Sequence, residues 1–110
     1  MSKVVNRVVH IPKPKEKNQL IDEIIKIRQI INDVAGRNDS NFVVDVASMP
    51  ESPVISVHQY ESIEDHEELL NKVYENKDFL TQADKVFTHL ERPINFWMQE
   101  IIETIEGVTA

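Results

Sequence analysis

The 110-residue sequence predicts an α+β fold in the order βαββαβ, and three observations carry that expectation. Short runs rich in β-branched residues lie near both ends and in the middle of the chain. Two longer segments between them place apolar residues at three- and four-residue intervals, as helices do. Clusters of Gly, Asn, Asp, Ser and Pro separate the two kinds of segment.

Val4 to Ile11 forms the first strand and stops at Pro12 and Pro14, which lack the amide donors a ladder needs. From Glu16 to Ala35 the residues Leu20, Ile21, Ile24, Ile25, Ile27, Ile30, Ile31 and Val34 repeat with helical spacing, and Gly36 is placed to end the run. "GRNDSN" is turn chemistry. "NFVVDVAS" follows as a second strand, and "MPESP" connects it to "VISVHQYE", so that the two strands make a hairpin. Ser62 with Asp65 resembles a capping box opening a helix whose buried side carries Ile63, Leu69, Leu70 and Val73. Asn76 to Asp78 marks a bend or break, after which Phe79, Leu80, Ala83, Val86, Phe87 and Leu90 continue helically as far as Arg92-Pro93. "INFWMQEIIE" reads as a fourth strand over residues 94–101, although residues 98–106 also satisfy helical spacing through Ile101, Ile102 and Ile105.

The simplest arrangement of these elements is ferredoxin-like: a four-stranded antiparallel sheet with two helices on one face. One domain over residues 1–110, with a core from about 4 to 102, accounts for the length. Hydrophobic residues at 41% and charged residues at 28% are ordinary for a globular chain.

Nineteen acidic residues against twelve basic ones give a net charge of -7, which opposes binding to nucleic acid or anionic lipid surfaces. The absence of cysteine excludes disulfides, thiolate metal sites and cysteine nucleophiles. No segment approaches the roughly 20 apolar residues that span a bilayer, and the start lacks the apolar run of a signal peptide, so a cytoplasmic location is expected.

Because side chains alternate along a strand, parity sorts the residues onto two faces. The more aliphatic set, Val5, Val9, Ile11, Phe42, Val44, Val46, Ile55, Val57, Ile94, Phe96 and Met98, is expected under the helices, with Arg7 its discordant member. Asn6, Val8, His10, Val43, Asp45, Ala47, Ser56, His58, Tyr60, Asn95, Trp97 and Gln99 then form the open face. A register with Ala47 opposite Val54 sets Asp45 opposite Ser56, diagonal to His58 and within about 7 to 8 Å of it. Trp97, Tyr60, Val8 and Val43 would leave an apolar patch there, and a second copy of the chain is the economical cover.

The βαββαβ order, "VHQYES" running into "IEDHEELLNKVYENKDFL", and the late strand after "ERP" resemble the dimeric α+β barrel superfamily, which includes antibiotic-biosynthesis-monooxygenase-like and NIPSNAP-like domains. The local likeness to the NIPSNAP-like pattern lies in Tyr60-Glu61-Ser62 and in the bend from Asn76 to Phe79. The resemblance covers roughly residues 4 to 102 and implies a homodimer whose two sheets close face to face. Each protomer would keep a cleft for a small organic ligand. Members include cofactor-independent oxygenases, haem-degrading enzymes, isomerases and proteins without known activity. The haem-degrading branch uses an asparagine on strand one, a tryptophan on the second helix and a histidine further along that helix. Asn6 is similar to the first, but Trp97 stands on the last strand and His89 near the helix end, so no haem or other cofactor is expected.

His58 is the catalytic candidate, a general base that Asp45 would orient. A hydrogen-bonded interface histidine is the structural alternative. Asn6, His10, Tyr60 and Trp97 are the candidate substrate contacts, with Tyr60 and Trp97 equally suited to an interface. His10, His58 and Asp45 could in principle hold a metal, but no close-spaced ligand motif supports one, and no metal is expected.

Overall fold

The structure, a computed structural model, describes residues 3–36 and 41–101. Strand β1 (Lys3–His10) ends at Ile11-Pro12, and helix α1 (Lys17–Ala35) follows a short turn. Gly36 closes α1 with φ 69°, and its N–H donates to the carbonyls of Asn32 and Asp33. This left-handed position favours glycine, which has no Cβ to strain it. Strands β2 (Asn41–Asp45) and β3 (Val54–Tyr60) form the hairpin, and β3 runs straight into helix α2 (Ile63–Tyr74). Ser62 caps α2 by accepting the Asp65 N–H at 3.1 Å, while Asp65 accepts the Glu61 N–H at 3.3 Å.

The bend at Asn76 separates two helices. Asn76 accepts the Phe79 N–H at 3.0 Å and so caps helix α3 (Lys77–Thr88). Strand β4 (Asn95–Ile101) follows, as a strand and not a helix over those residues; residues 102–106 lie outside the described part. The element order is βαββααβ, and the described strands form one antiparallel sheet in the order β2-β3-β1-β4.

Helix α1 buries Lys17, Leu20, Ile24 and Arg28, one stripe at spacings of three and four residues. Leu20 and Ile24 join Val54, Val86 and Leu90 in one core cluster; Val4, Tyr60, Leu69 and Val73 form the other. Buried Gln82 ties α3 to α1 by donating to the Glu23 carboxylate at 2.6 Å and to the Glu23 backbone carbonyl at 3.0 Å.

The two sheet faces are exchanged relative to the expectation from aliphatic content. Val54, Ser56, His58 and Tyr60 of β3 are buried, as are Asn6, Val8 and His10 of β1, and these residues lie beneath the helices. Val9, Ile55 and Val57 point to the other side, which no described helix covers. Parity separates two faces but does not label them, and here both are rich in apolar residues. The inner stripe of α1 carries Arg28 between aliphatic neighbours, and it meets the sheet face that carries matching polar groups.

The hairpin register also differs by two residues: Asp45 pairs with Val54, Val43 with Ser56, and Asn41 with His58. The cause is the length of the connection. Strand β2 stops at Asp45, and the loop after it closes on Ser52, whose hydroxyl donates to the Asp45 carboxylate at 3.1 Å. Buried Lys17 then reaches into this loop, donating to the Met49 carbonyl, to Ser52 Oγ at 2.7 Å and to the Asp45 carboxylate at 2.5 Å. A lysine at the head of α1 thereby fixes the far end of the hairpin.

Candidate functional site

A cavity of about 480 Å³ opens between the inner sheet face and helices α1, α2 and α3. Its walls are largely apolar: Ile24, Ile27 and Ile31 on α1, and Phe79, Leu80, Ala83, Val86 and Phe87 on α3. Tyr74, Leu80 and Phe87 are about half exposed and form the rim. Asn6, Val8 and His10 of β1 with Ser56 and Tyr60 of β3 make the floor, and Arg28 descends to it from α1.

The floor is polar and buried. Arg28 is only 7% exposed, and its guanidinium donates to Ser56 Oγ at 2.6 Å and to the Tyr60 hydroxyl. Burial pushes the Arg28 pKa down, and its interaction with Tyr60 acts in the opposite direction. An arginine in this setting keeps its charge.

His10 donates from Nδ1 to the Val54 carbonyl at 3.1 Å, since a carbonyl can only accept. Burial lowers its pKa from an ordinary 6.5 to about 4, and the Arg28 charge adds to the fall against the backbone hydrogen bonds. At neutral pH the ring is therefore uncharged with its proton on Nδ1, which leaves Nε2 as the nitrogen with a lone pair. Asn6 is 6% exposed, and its Oδ1 has no hydrogen-bond donor among the described residues.

The candidates from the sequence separate into two groups. Asn6, His10 and Tyr60 meet at the floor. His58 lies next to them on the inner face, fully buried and stacked on Tyr60 with ring centroids 4.2 Å apart, but it is not part of the cavity wall. Tyr60 also meets His66 edge to face at 4.6 Å, and burial lowers the His66 pKa.

Asp45 does not orient His58. The register places it four residues beyond the partner of His58, roughly 13 Å along the strand. Its carboxylate is held by Lys17 and Ser52 instead, with Lys17 the largest cause of its lowered pKa. In the backbone register Trp97 pairs with Arg7, and it is Met98 that pairs with Asn6. Among the described residues no group of three or more His, Asp or Glu side chains is arranged to hold a metal ion. No helix among them is long and apolar enough to cross a membrane.

Arg28 is the residue that sequence reasoning missed. It sits four residues after Ile24 and eight after Leu20, the positions that continue the buried stripe of α1. A charged residue at an inner-stripe position was the available signal.

The fold is similar to that of solved NIPSNAP and antibiotic-biosynthesis-monooxygenase-like structures. A NIPSNAP family protein of Agrobacterium tumefaciens superposes with a TM-score of 0.67 at 17% identity, over 88% of this chain and 90% of that one. SnoaB of Streptomyces nogalater, a cofactor-independent oxygenase, gives 0.72 at 6% identity over 96% and 99%. A candidate antibiotic biosynthesis monooxygenase of Bordetella bronchiseptica gives 0.72 at 11% identity over 94% and 100%. At such identities the likeness is one of fold. No protein-family model matches the chain, and neither does any curated protein.

Proposed function

We propose that the chain forms a homodimer through the outer faces of two sheets and binds a small, largely apolar organic molecule in the cavity of each protomer. There it acts as a cofactor-independent, monooxygenase-like enzyme. The observation that carries this reading is the polar floor of an otherwise apolar cavity: a charged Arg28, an uncharged His10 with Nε2 unprotonated, and a buried Asn6 acceptor. Convergent polar groups with a displaced pKa, at the bottom of a cleft, are the usual composition of a substrate site.

His10 takes the part first given to His58. Its Nε2 would accept a proton from an activated carbon of the substrate, next to a carbonyl or phenol oxygen. The resulting carbanion adds dioxygen, the peroxide anion takes its proton back from His10 to become a hydroperoxide, and loss of water with the second hydrogen of that carbon leaves a carbonyl. One oxygen atom stays in the product and the other leaves as water, so dioxygen is the only oxidant required. Asn6 and Tyr60 would hold the substrate.

The rival reading is binding without turnover, favoured by the low basicity of His10, whose pKa of about 4 makes it a weak acceptor until a bound molecule alters its surroundings. Oxygen uptake separates the two. A panel of oxidisable phenols and polyketide-like aromatics should include one that consumes oxygen, and His10→Gln should cut its kcat about 100-fold or more with binding retained. Unchanged turnover in that variant would remove His10 as the base. Ligands that bind without oxygen uptake would favour the binding module.

The dimer rests on the uncovered sheet face. Val9 on β1, Ile11 just after it, Ile55 and Val57 on β3, and Val44 on β2 are partly or well exposed in one protomer, and together they make an aliphatic surface.

A further inference from the structure

We infer that the cavity selects an organic acid bound as its anion, with the negative group on Arg28 and a neighbouring hydroxyl donating to Asn6. The inference rests on the cavity being the binding site and names the class of molecule it takes.

A guanidinium that is 7% exposed has left bulk water, and buried charges are ordinarily paired. Its described hydrogen-bond partners are the Ser56 and Tyr60 hydroxyls. Among residues whose side chains are described, none of the ion pairs includes Arg28. Asp84 also lines the cavity, from an exposed position on α3. A planar guanidinium suits a carboxylate or an ionised enol, both of which offer two oxygens in one plane.

Asn6 supplies a second and independent observation. It is more than nine-tenths buried, it lines the same cavity, and its Oδ1 accepts nothing from the described residues. A buried acceptor without a donor is costly, and a hydroxyl on the ligand would satisfy it. Cation and acceptor lie at the floor, while Ile24, Ile27, Phe79 and Ala83 offer apolar contact above them. The ligand that fits is thus an apolar, flat body ending in an acid with a hydroxyl close by.

The test uses the full chain and three probes of one shape: 2-naphthoate, 2-naphthamide and 2-naphthol, with affinity measured calorimetrically at pH 7. The anion should bind at least about tenfold tighter than either neutral probe, as charge-assisted hydrogen bonds exceed neutral ones. Arg28→Met should abolish that preference, and Arg28→Lys should retain part of it. Within a panel of hydroxy-2-naphthoates, at least one isomer should bind more tightly than 2-naphthoate, and Asn6→Leu should erase its advantage. Neutral probes that equal or surpass the anion in the unaltered protein would overturn the inference, whether or not the variants fold, and would leave the cavity as a binding site. No binding by any probe would overturn the cavity reading itself. An anion preference that survives Arg28→Met would also overturn the assignment, and an Asn6→Leu variant that keeps the hydroxyl advantage would overturn the part given to Asn6.

Discussion

Replacing His10 by glutamine is expected to remove much of the protein's sensitivity to mild acid. The folded state holds His10 neutral down to about pH 4, whereas the unfolded chain protonates it near 6.5. Between these values the unfolded state binds more protons, so stability rises with pH across the window and is lost as pH falls from 6.5 toward 4. The displacement corresponds to roughly 3 kcal/mol, a large fraction of the stability of a domain this size. His66, whose pKa is also lowered, contributes in the same direction, while Asp45 and Glu23 have lowered pKa values and lose their contribution only at more acid pH. Comparing the two proteins isolates His10. Urea titrations at pH 7 and pH 4.5 should show a smaller pH-dependent loss for His10→Gln than for the unaltered chain. Equal losses would mean that His10 titrates normally and that the cavity floor is open to water.

Ile55→Glu is expected to convert the proposed dimer into a monomer. Ile55 lies on a central strand, opposite Val44 on β2 and Val9 on β1, so a carboxylate there would face aliphatic neighbours on the outer face. In one protomer the position is partly exposed and the charge stays hydrated, which preserves the fold. In a face-to-face dimer each protomer would bury one such charge without a partner. A cost of about 3 kcal/mol or more weakens association at least a hundredfold. Light scattering at micromolar concentration should give twice 12.8 kDa for the unaltered chain and 12.8 kDa for the variant. Circular dichroism on the same samples checks that the variant is folded. A 12.8 kDa mass for the unaltered chain would refute the dimer, and with it the role of the outer face.

The order of elements was legible because it is written in local signals. Pro12, Gly36, the Ser62 and Asp65 pair, the Asn76 bend and Arg92-Pro93 each act within a few residues of themselves, and each marks a boundary in the structure. Which sheet face the helices cover is not local. Val8 and Val9 are adjacent, equally aliphatic and on opposite faces, so composition along β1 could not rank the faces. The aliphatic outer face then makes a stronger case for a second copy than the mixed face did.

The same limit divides the site residues. Asn6, His10, Ser56, His58 and Tyr60 share one parity, so their grouping could be read from strand alternation alone. Asp45 was placed by an assumed loop length, and the Lys17-Asp45-Ser52 contact shows a loop that ends two residues elsewhere. Arg28 comes from another element, and its meeting with Ser56 spans 28 residues of chain. Such a contact depends on packing, which pattern reading does not resolve.

The central claim is that the functional site is the cavity beneath the helices, floored by Asn6, His10 and Tyr60. The most direct measurement is a crystal structure of the protein with its tightest-binding flat aromatic ligand. The account predicts ligand density between α1, α3 and the inner sheet face, with a polar group within hydrogen-bond distance of Arg28 or His10 Nε2. A ligand seated on the outer sheet face, or a closed cavity with the ligand bound elsewhere, would contradict it.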